Sequence, residues 1–240
     1  DQTVSVSTTD NDTAGFTVAE SGGSTTVAET GSTDTFTVVL DAQPTSDVVI
    51  SAVSSDTGEA TAAPTPLTFT NGNWDTPQTV TITGVNDDLV DGSQTTSTTL
   101  SVVDGSSDDS FDSLADQTVS VTTTDDDTAG FTVTQSDGST SVDESGSTDT
   151  FTVVLDAQPT SDVVLSVSSG DTGEATVSSA TLTFTSGNWD SAQTVTITGI
   201  NDDLVDGSQT TTITLSVVDG SSDNDFDGIS DQTVSVTTTN

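Results

Sequence analysis

Acidic residues recur along this chain in tight groups. "DDD" at Asp125–Asp127 closes a run of Thr and Val. "NDDLVDG" carries Asp87, Asp88 and Asp91, and occurs again with Asp202, Asp203 and Asp206. "SDTGEA" carries Asp56 and Glu59, its second copy carries Asp171, and Glu29 and Glu144 stand in "VAETG" and "VDESG". The chain has 39 acidic residues and no Lys, Arg or His, for a formal net charge of −39. No internal salt bridge can therefore neutralise these groups. The chemistry open to oxygen ligands alone is the capture of a hard divalent cation. Calcium takes about 6–8 oxygens in flexible geometry, whereas magnesium demands a strict octahedron. Zinc prefers His or Cys, and Cys is absent as well.

The same composition excludes other chemistries. Without Lys and Arg, neither phosphate backbones nor anionic lipid surfaces have a counter-charge here. Without His, Lys or Cys, the usual bases and nucleophiles are missing, so the chain is expected not to be an enzyme. A carboxylate pair could drive glycoside hydrolysis, but so few aromatics (4% of residues) do not build a sugar cleft. No apolar run reaches membrane-spanning length, and insertion into a membrane is not expected. Thr-rich faces such as "TVTIT" invite an ice-binding reading, which twisted sandwich sheets serve poorly. Hydrophobic residues make up only 29%. With this charge the chain would remain disordered unless a strong β pattern and cations from solution offset the repulsion.

A repeat positions the acids. "DQTVSV" begins at Asp1, Asp116 and Asp231, a spacing of 115 residues. That is the size of a whole domain rather than of a solenoid coil. Residues 1–12 read as the last strand of a preceding repeat, 13–127 as repeat 1 and 128–240 as repeat 2, cut from a longer array. Apolar and polar residues alternate with period two. Phe36, Val38 and Leu40 oppose Thr35 and Thr37; Val80 and Ile82 oppose Thr79, Thr81 and Thr83. Repeat 1 is expected to hold seven strands: Phe16–Glu29, Thr35–Leu40, Val48–Val53, Leu67–Thr70, Gln78–Val85, Thr96–Val103 and Gln117–Thr124. The fold class is all-β: two tandem seven-stranded, immunoglobulin-like Greek-key sandwiches.

In such a sandwich the loops after the first, third and fifth strands share one pole with the end of the seventh. That gathers Glu29, Asp56, Asp87, Asp88, Asp91 and Asp125–Asp127 at the pole facing the next repeat. The competing reading is a set of solvated loop acids, and it is the one adopted for Asp34 and Glu59. At the opposite pole, "DNDFDG" (Asp223–Gly228) opens like an EF-hand loop but lacks its closing Glu and flanking helices. Repeat 1 has "DDSFDS" there, with Ser110 at a ligand position and Ser113 in place of the Gly. Trp74 and Trp189, in "GNWD", are expected to cap the core rather than stack on sugar.

"GFTVAESGGSTTVAETG", "SDTGEA", "ITGVNDDLVDG" and "VSVTTTDDD" resemble the Calx-β domain, across the whole of each repeat. The resemblance implies calcium held by Glu29, Asp56, Asp87, Asp88, Asp125 and Asp127, and in repeat 2 by Glu144, Asp171, Asp202 and Asp203. Asp91 and Asp206 stand where the family often has Glu, and repeat 2 ends at Asn240 without the later acids. Arrays of this composition also resemble the extender regions of giant bacterial surface adhesins. The expected function is a calcium-stiffened extracellular spacer. Its partners would be neighbouring repeats of the same chain, with any glycan or protein receptor met through other domains. The alternative is an adhesion module that itself binds carbohydrate or protein, since avidity also favours repeats.

Overall fold

The computed structural model describes residues 1–240, which divide into two compact units. The first comprises Asp1–Asp87 and Gly92–Asp126; the second comprises Asp88–Asp91 and Asp127–Asn240. The second unit thus includes four residues from a loop of repeat 1. No helix is long and apolar enough to cross a membrane.

In the first unit the strands are β1 (Phe16–Glu20), β2 (Thr25–Ala28), β3 (Thr33–Leu40), β4 (Val48–Ser54), β5 (Ala60–Ala63), β6 (Leu67–Phe69), β7 (Gln78–Gly84), β8 (Gln94–Val102) and β9 (Gln117–Thr124). They form two sheets, ordered β1-β3-β7-β5 and β2-β9-β8-β4-β6. The inward residues are those that the alternation picks out: Phe36, Val38, Ile50, Phe69, Val80, Ile82, Leu100 and Val121 are fully buried. Burying each such side chain contributes about 1.5–3 kcal/mol, and this core is what holds a chain so highly charged in a compact state. Outward Thr residues keep β propensity while facing water.

Two details differ from the expected seven strands. The stretch Phe16–Glu29 is not one strand: it turns at Ser21–Gly23, where Gly22 and Gly23 have φ of 67° and 82°. Its first half pairs antiparallel with β3, and its second half pairs parallel with β9 in the other sheet. A short additional strand, β5, pairs with β7. Both changes give a sheet edge a partner that a single straight strand could not supply.

The second unit repeats the plan with β10 (Phe131–Gln135), β11 (Thr140–Asp143), β12 (Thr148–Leu155), β13 (Val163–Ser169), β14 (Ala175–Val177), β15 (Thr181–Phe184), β16 (Gln193–Gly199), β17 (Gln209–Val217) and β18 (Gln232–Thr239). Its sheets are β10-β12-β16-β14 and β11-β18-β17-β13-β15. Trp74 and Trp189 each pack partly buried against the core of their own unit, as expected. Residues 1–12 form no strand, and Val4 and Val6 are exposed.

Candidate metal centre

The best-defined acidic cluster lies within the second unit and is built from three loops. Glu144 directly follows β11 and its N–H donates to the Thr239 carbonyl at 3.1 Å. Glu174 directly precedes β14. Its loop is folded back by an Ala175 N–H to Asp171 carbonyl bond of 3.1 Å, and its own carbonyl accepts from the Ile200 N–H at 2.8 Å. Asp202 and Asp206 come from the β16–β17 loop. That loop is pinned where Asp202 accepts from the Leu204 N–H and where the Asn240 amide reaches the Leu204 carbonyl, both at 2.8 Å.

Glu174, Asp202 and Asp206 each bring a carboxylate oxygen within 4.8 Å of the others. Glu174 is only 8% exposed, and its Oε2 is buried with no hydrogen-bond partner. Burial first, and then Asp202, Asp206, Asp171 and Glu144, push the Glu174 carboxyl above the usual carboxylate range. Glu144 is raised in the same way, by burial and then by Asp202, Asp206 and Asp203. Like charges gathered around a buried carboxylate disfavour its ionisation. Ionised, it needs a cation, and this chain has no side chain to supply one. The all-oxygen donor set suits a hard metal ion.

In the first unit, Glu29 is 1% exposed, its N–H donates to the Thr124 carbonyl at 3.1 Å, and an oxygen of its carboxylate lies within 4.8 Å of one from Asp87. Asp125 is half-buried and accepts from the Gly92 N–H at 2.8 Å, which ties the end of β9 to the β7–β8 loop. Asp126 is exposed. Asp88, Asp91 and Asp127 belong to the second unit, where Asp88 is exposed and the other two are half-buried.

Other expected ligands are placed differently. Asp56 and Asp171 are exposed, and an Oδ1 of each accepts from the N–H two residues on, at Gly58 and Gly173 (2.9 Å each). These side chains shape their own turn. Asp171 is near enough to act electrostatically on Glu174, but the residue of that loop that enters the cluster is Glu174. Its counterpart Glu59, read from sequence as a solvated acid, is also buried, at 8% exposure. The adjoining buried Ala60 and Ala175 are the signal that these Glu residues sit at the start of an inward-facing strand. Asp203 is exposed with a left-handed φ of 62°, its N–H donating to the Asn201 side chain. Asp34 stays outside the cluster: the Ser21 hydroxyl and then the Thr26 and Thr35 N–H groups hold its carboxyl low.

In the "DNDFDG" stretch the aspartates differ: Asp227 Oδ1 is buried without a hydrogen-bond partner, whereas Asp223 is taken up by protein donors. Asp223 is buried, and its Oδ2 accepts from the Thr160 hydroxyl and the Ser161 N–H, at 2.7 Å each. Its Oδ1 accepts from the Asp225 N–H at the start of a single 3-10 turn, Asn224–Phe226, which buries Phe226. Asp108 does the same in the first unit, accepting from the Thr45 hydroxyl and N–H at 2.6 and 2.7 Å, and from the Ser46 and Ser110 N–H groups at 3.0 Å. These carboxylates are already satisfied by protein donors. They staple two loops together.

No protein-family model matches the sequence, and no curated protein matches it. Solved structures similar to this chain include CBD12 from CALX1.2, at 12% identity over 92% of this chain and 99% of that one, with a TM-score of 0.34. The calcium binding domain CBD12 of CALX1.1 is similar at 16% identity, over 83% of this chain and 80% of that one, with a TM-score of 0.33. Domains 4 and 5 of the S-layer protein SbsC are similar at 17% identity, over 95% and 100% of the two chains, with a TM-score of 0.37. At these identities the likeness is one of fold.

Proposed function

We propose that the chain is a pair of calcium-binding structural repeats, spacers within an extracellular bacterial surface adhesin that hold a distant receptor-binding domain away from the cell. One observation carries the metal reading: Glu174, whose Oε2 is buried and unpartnered, shares a carboxylate cluster with Asp202 and Asp206 in a chain without cationic side chains. Glu174, Asp202 and Asp206 hold the ion in the second unit, with Glu144 adjacent. Glu29 and Asp87 contribute to the corresponding site of the first. Calcium supplies the missing positive charge and restricts the loops that carry these acids.

Extracellular calcium modules bind at about 10⁻⁴–10⁻³ M. Such sites fill outside a cell and stay nearly empty in its cytosol, so the array is slack during export and stiff afterwards. Near-identity of the repeats fits replication of length rather than of one recognition site. The spacer has no catalytic role in this reading.

Isothermal titration of the full chain with calcium chloride tests it. The expected result is binding in the range above, lost from the second unit in a Glu174→Gln/Asp202→Asn/Asp206→Asn variant. Solution scattering tests the mechanical part. A maximum dimension that is the same in calcium and in chelator would contradict stiffening.

A further inference from the structure

The chain leaves the first unit after Asp87, contributes Asp88–Asp91 to the second, and returns to the first at Gly92. Four residues of the β7–β8 loop are therefore part of the second unit, and their bonds inside it are specific. The Gln158 N–H donates to the Asp88 carbonyl at 2.6 Å, and the Val90 N–H donates to the Gln158 carbonyl at 3.2 Å. Together they place Leu89 in a parallel bridge with Gln158. Val90 is half-buried and packs on the hydrophobic core of the unit, as Ala129 does.

The receiving surface is suited to an extended segment. Gln158 lies in the β12–β13 loop, next to the buried Ala157. Its side-chain amide donates to the Ser186 carbonyl in the β15–β16 loop, at 2.8 Å. The side chain is thus held by a second loop, while the backbone N–H and C=O of the same residue meet the incoming segment. Main-chain bonds with an apolar side chain seated beside them are the mode of strand addition. The segment has the matching composition. In "NDDLVDG" only Leu89 and Val90 are apolar, and both are half-buried, whereas Asp88 before them is exposed.

We infer that Asp88–Asp91 is a strap, an interaction segment that pairs with the Gln158 backbone and covers the core edge of the second unit. It stabilises that unit rather than the repeat whose sequence carries it. The folding unit then differs from the 115-residue sequence repeat, because a stretch lying before β8 and β9 completes the sandwich that comes after them. The bonds to Gln158 are made by backbone groups, so the strap holds with or without metal.

The chain has two Trp and no Tyr, and each Trp packs on the core of its own unit. In the full chain, Trp74→Phe leaves Trp189 to report on the second unit, and Trp189→Phe leaves Trp74 to report on the first. Thermal melts followed by Trp fluorescence, in chelator and about 0.5 M NaCl to screen the acids, compare Val90→Asp with Ser93→Asp. Ser93 is exposed, so its variant adds the same charge to the loop without touching the strap. Val90→Asp is expected to lower the Trp189 midpoint by at least about 3 °C and to leave the Trp74 midpoint within about 1 °C. Ser93→Asp moves neither by more than about 1 °C. Exchange of the Gln158 amide hydrogen should also be at least about tenfold faster in Val90→Asp, as its acceptor withdraws. A Trp189 shift no larger than that of Trp74, or no larger than Ser93→Asp produces, would overturn the inference, as would unchanged protection of Gln158. Chelator is present throughout, so a failure here is separable from a failure of the metal site.

Discussion

The backbone carbonyl oxygen of Asp143 lies 2.1 Å from where a Cβ on Gly199 would stand. Ala28 and Gly84 are related in the same way, also at 2.1 Å. Each glycine ends the strand that leads into the "NDD" loop, and each carbonyl belongs to the residue before the Glu that closes the preceding short strand. Only glycine lets Glu144 and Asp202 come from backbones so close. Gly199→Ala is expected to destabilise the second unit by about 1–3 kcal/mol, the cost of overpacking. Gly187→Ala, whose new Cβ would meet only the Thr185 hydroxyl at 3.8 Å, stays within about 0.5 kcal/mol. Urea denaturation of the two variants measures both.

Glu174→Gln should act in opposite directions with and without metal. In chelator it removes a buried charge from a same-sign cluster and raises the melting temperature. In calcium it removes a ligand, and the gain from calcium shrinks. Thermal melts of wild type and variant in the two conditions give the four values needed. A variant that is less stable in both conditions would mark Glu174 as an ordinary structural residue.

The pH dependence of the metal-free chain follows from the signs of the shifts. The Thr45 hydroxyl, then the Ser110 and Ser46 N–H groups, hold Asp108 well below the ordinary aspartate value of 3.8. At Asp223 burial alone would raise the carboxyl, but hydrogen bonds from Thr160, Ser161 and Asp225 outweigh it and lower it. Both groups favour the fold above pH 3.8 and lose that contribution as pH falls through their lowered values. Glu144 and Glu174 are raised above 4.5. Their contribution is complete below pH 4.5 and is lost as pH rises through their raised values. Melting in chelator should therefore be highest near pH 4 and fall on both sides. Calcium should abolish the decline on the alkaline side only.

Asp223→Ala should lower the melting temperature of the second unit on the order of 5–10 °C, because it leaves the Ser161 and Asp225 N–H groups and the Thr160 hydroxyl without their acceptor. Calcium affinity should be unchanged, since the side chain is spent on protein donors. A loss of calcium binding in this variant would restore the metal reading of the "DNDFDG" loop.

Much of the sandwich was legible because period-two alternation is a direct record of which side faces the core, as at Phe36, Val38 and Leu40. The split of Phe16–Glu29 was not read, although Gly22 and Gly23 mark it, because a strand that changes sheets keeps its alternation on both sides of the turn. Strand β5 was missed because Ala60 to Ala63 carries little β propensity and little apolar bulk. The acidic pole was legible from topology. Which acid of a loop turns inward was not, since Asp56 and Glu59 are chemically alike in sequence and differ only in that one caps its own turn while the other precedes a buried alanine. Asp223 shows another limit of spacing: alternate aspartates match a ligand pattern, while the donors that satisfy one of them come from Thr160 and Ser161, about 60 residues away in the chain.

The central claim is that this chain takes its counter-charge from a bound divalent ion. Calorimetric melting of the full chain in about 10 mM calcium chloride, against sodium chloride of matched ionic strength, tests it most directly. With dissociation constants of about 10⁻⁴–10⁻³ M, calcium should add roughly 1–3 kcal/mol per site and raise the transition well beyond the sodium control. A transition at the same temperature in both salts would show that general screening suffices and that no calcium site exists.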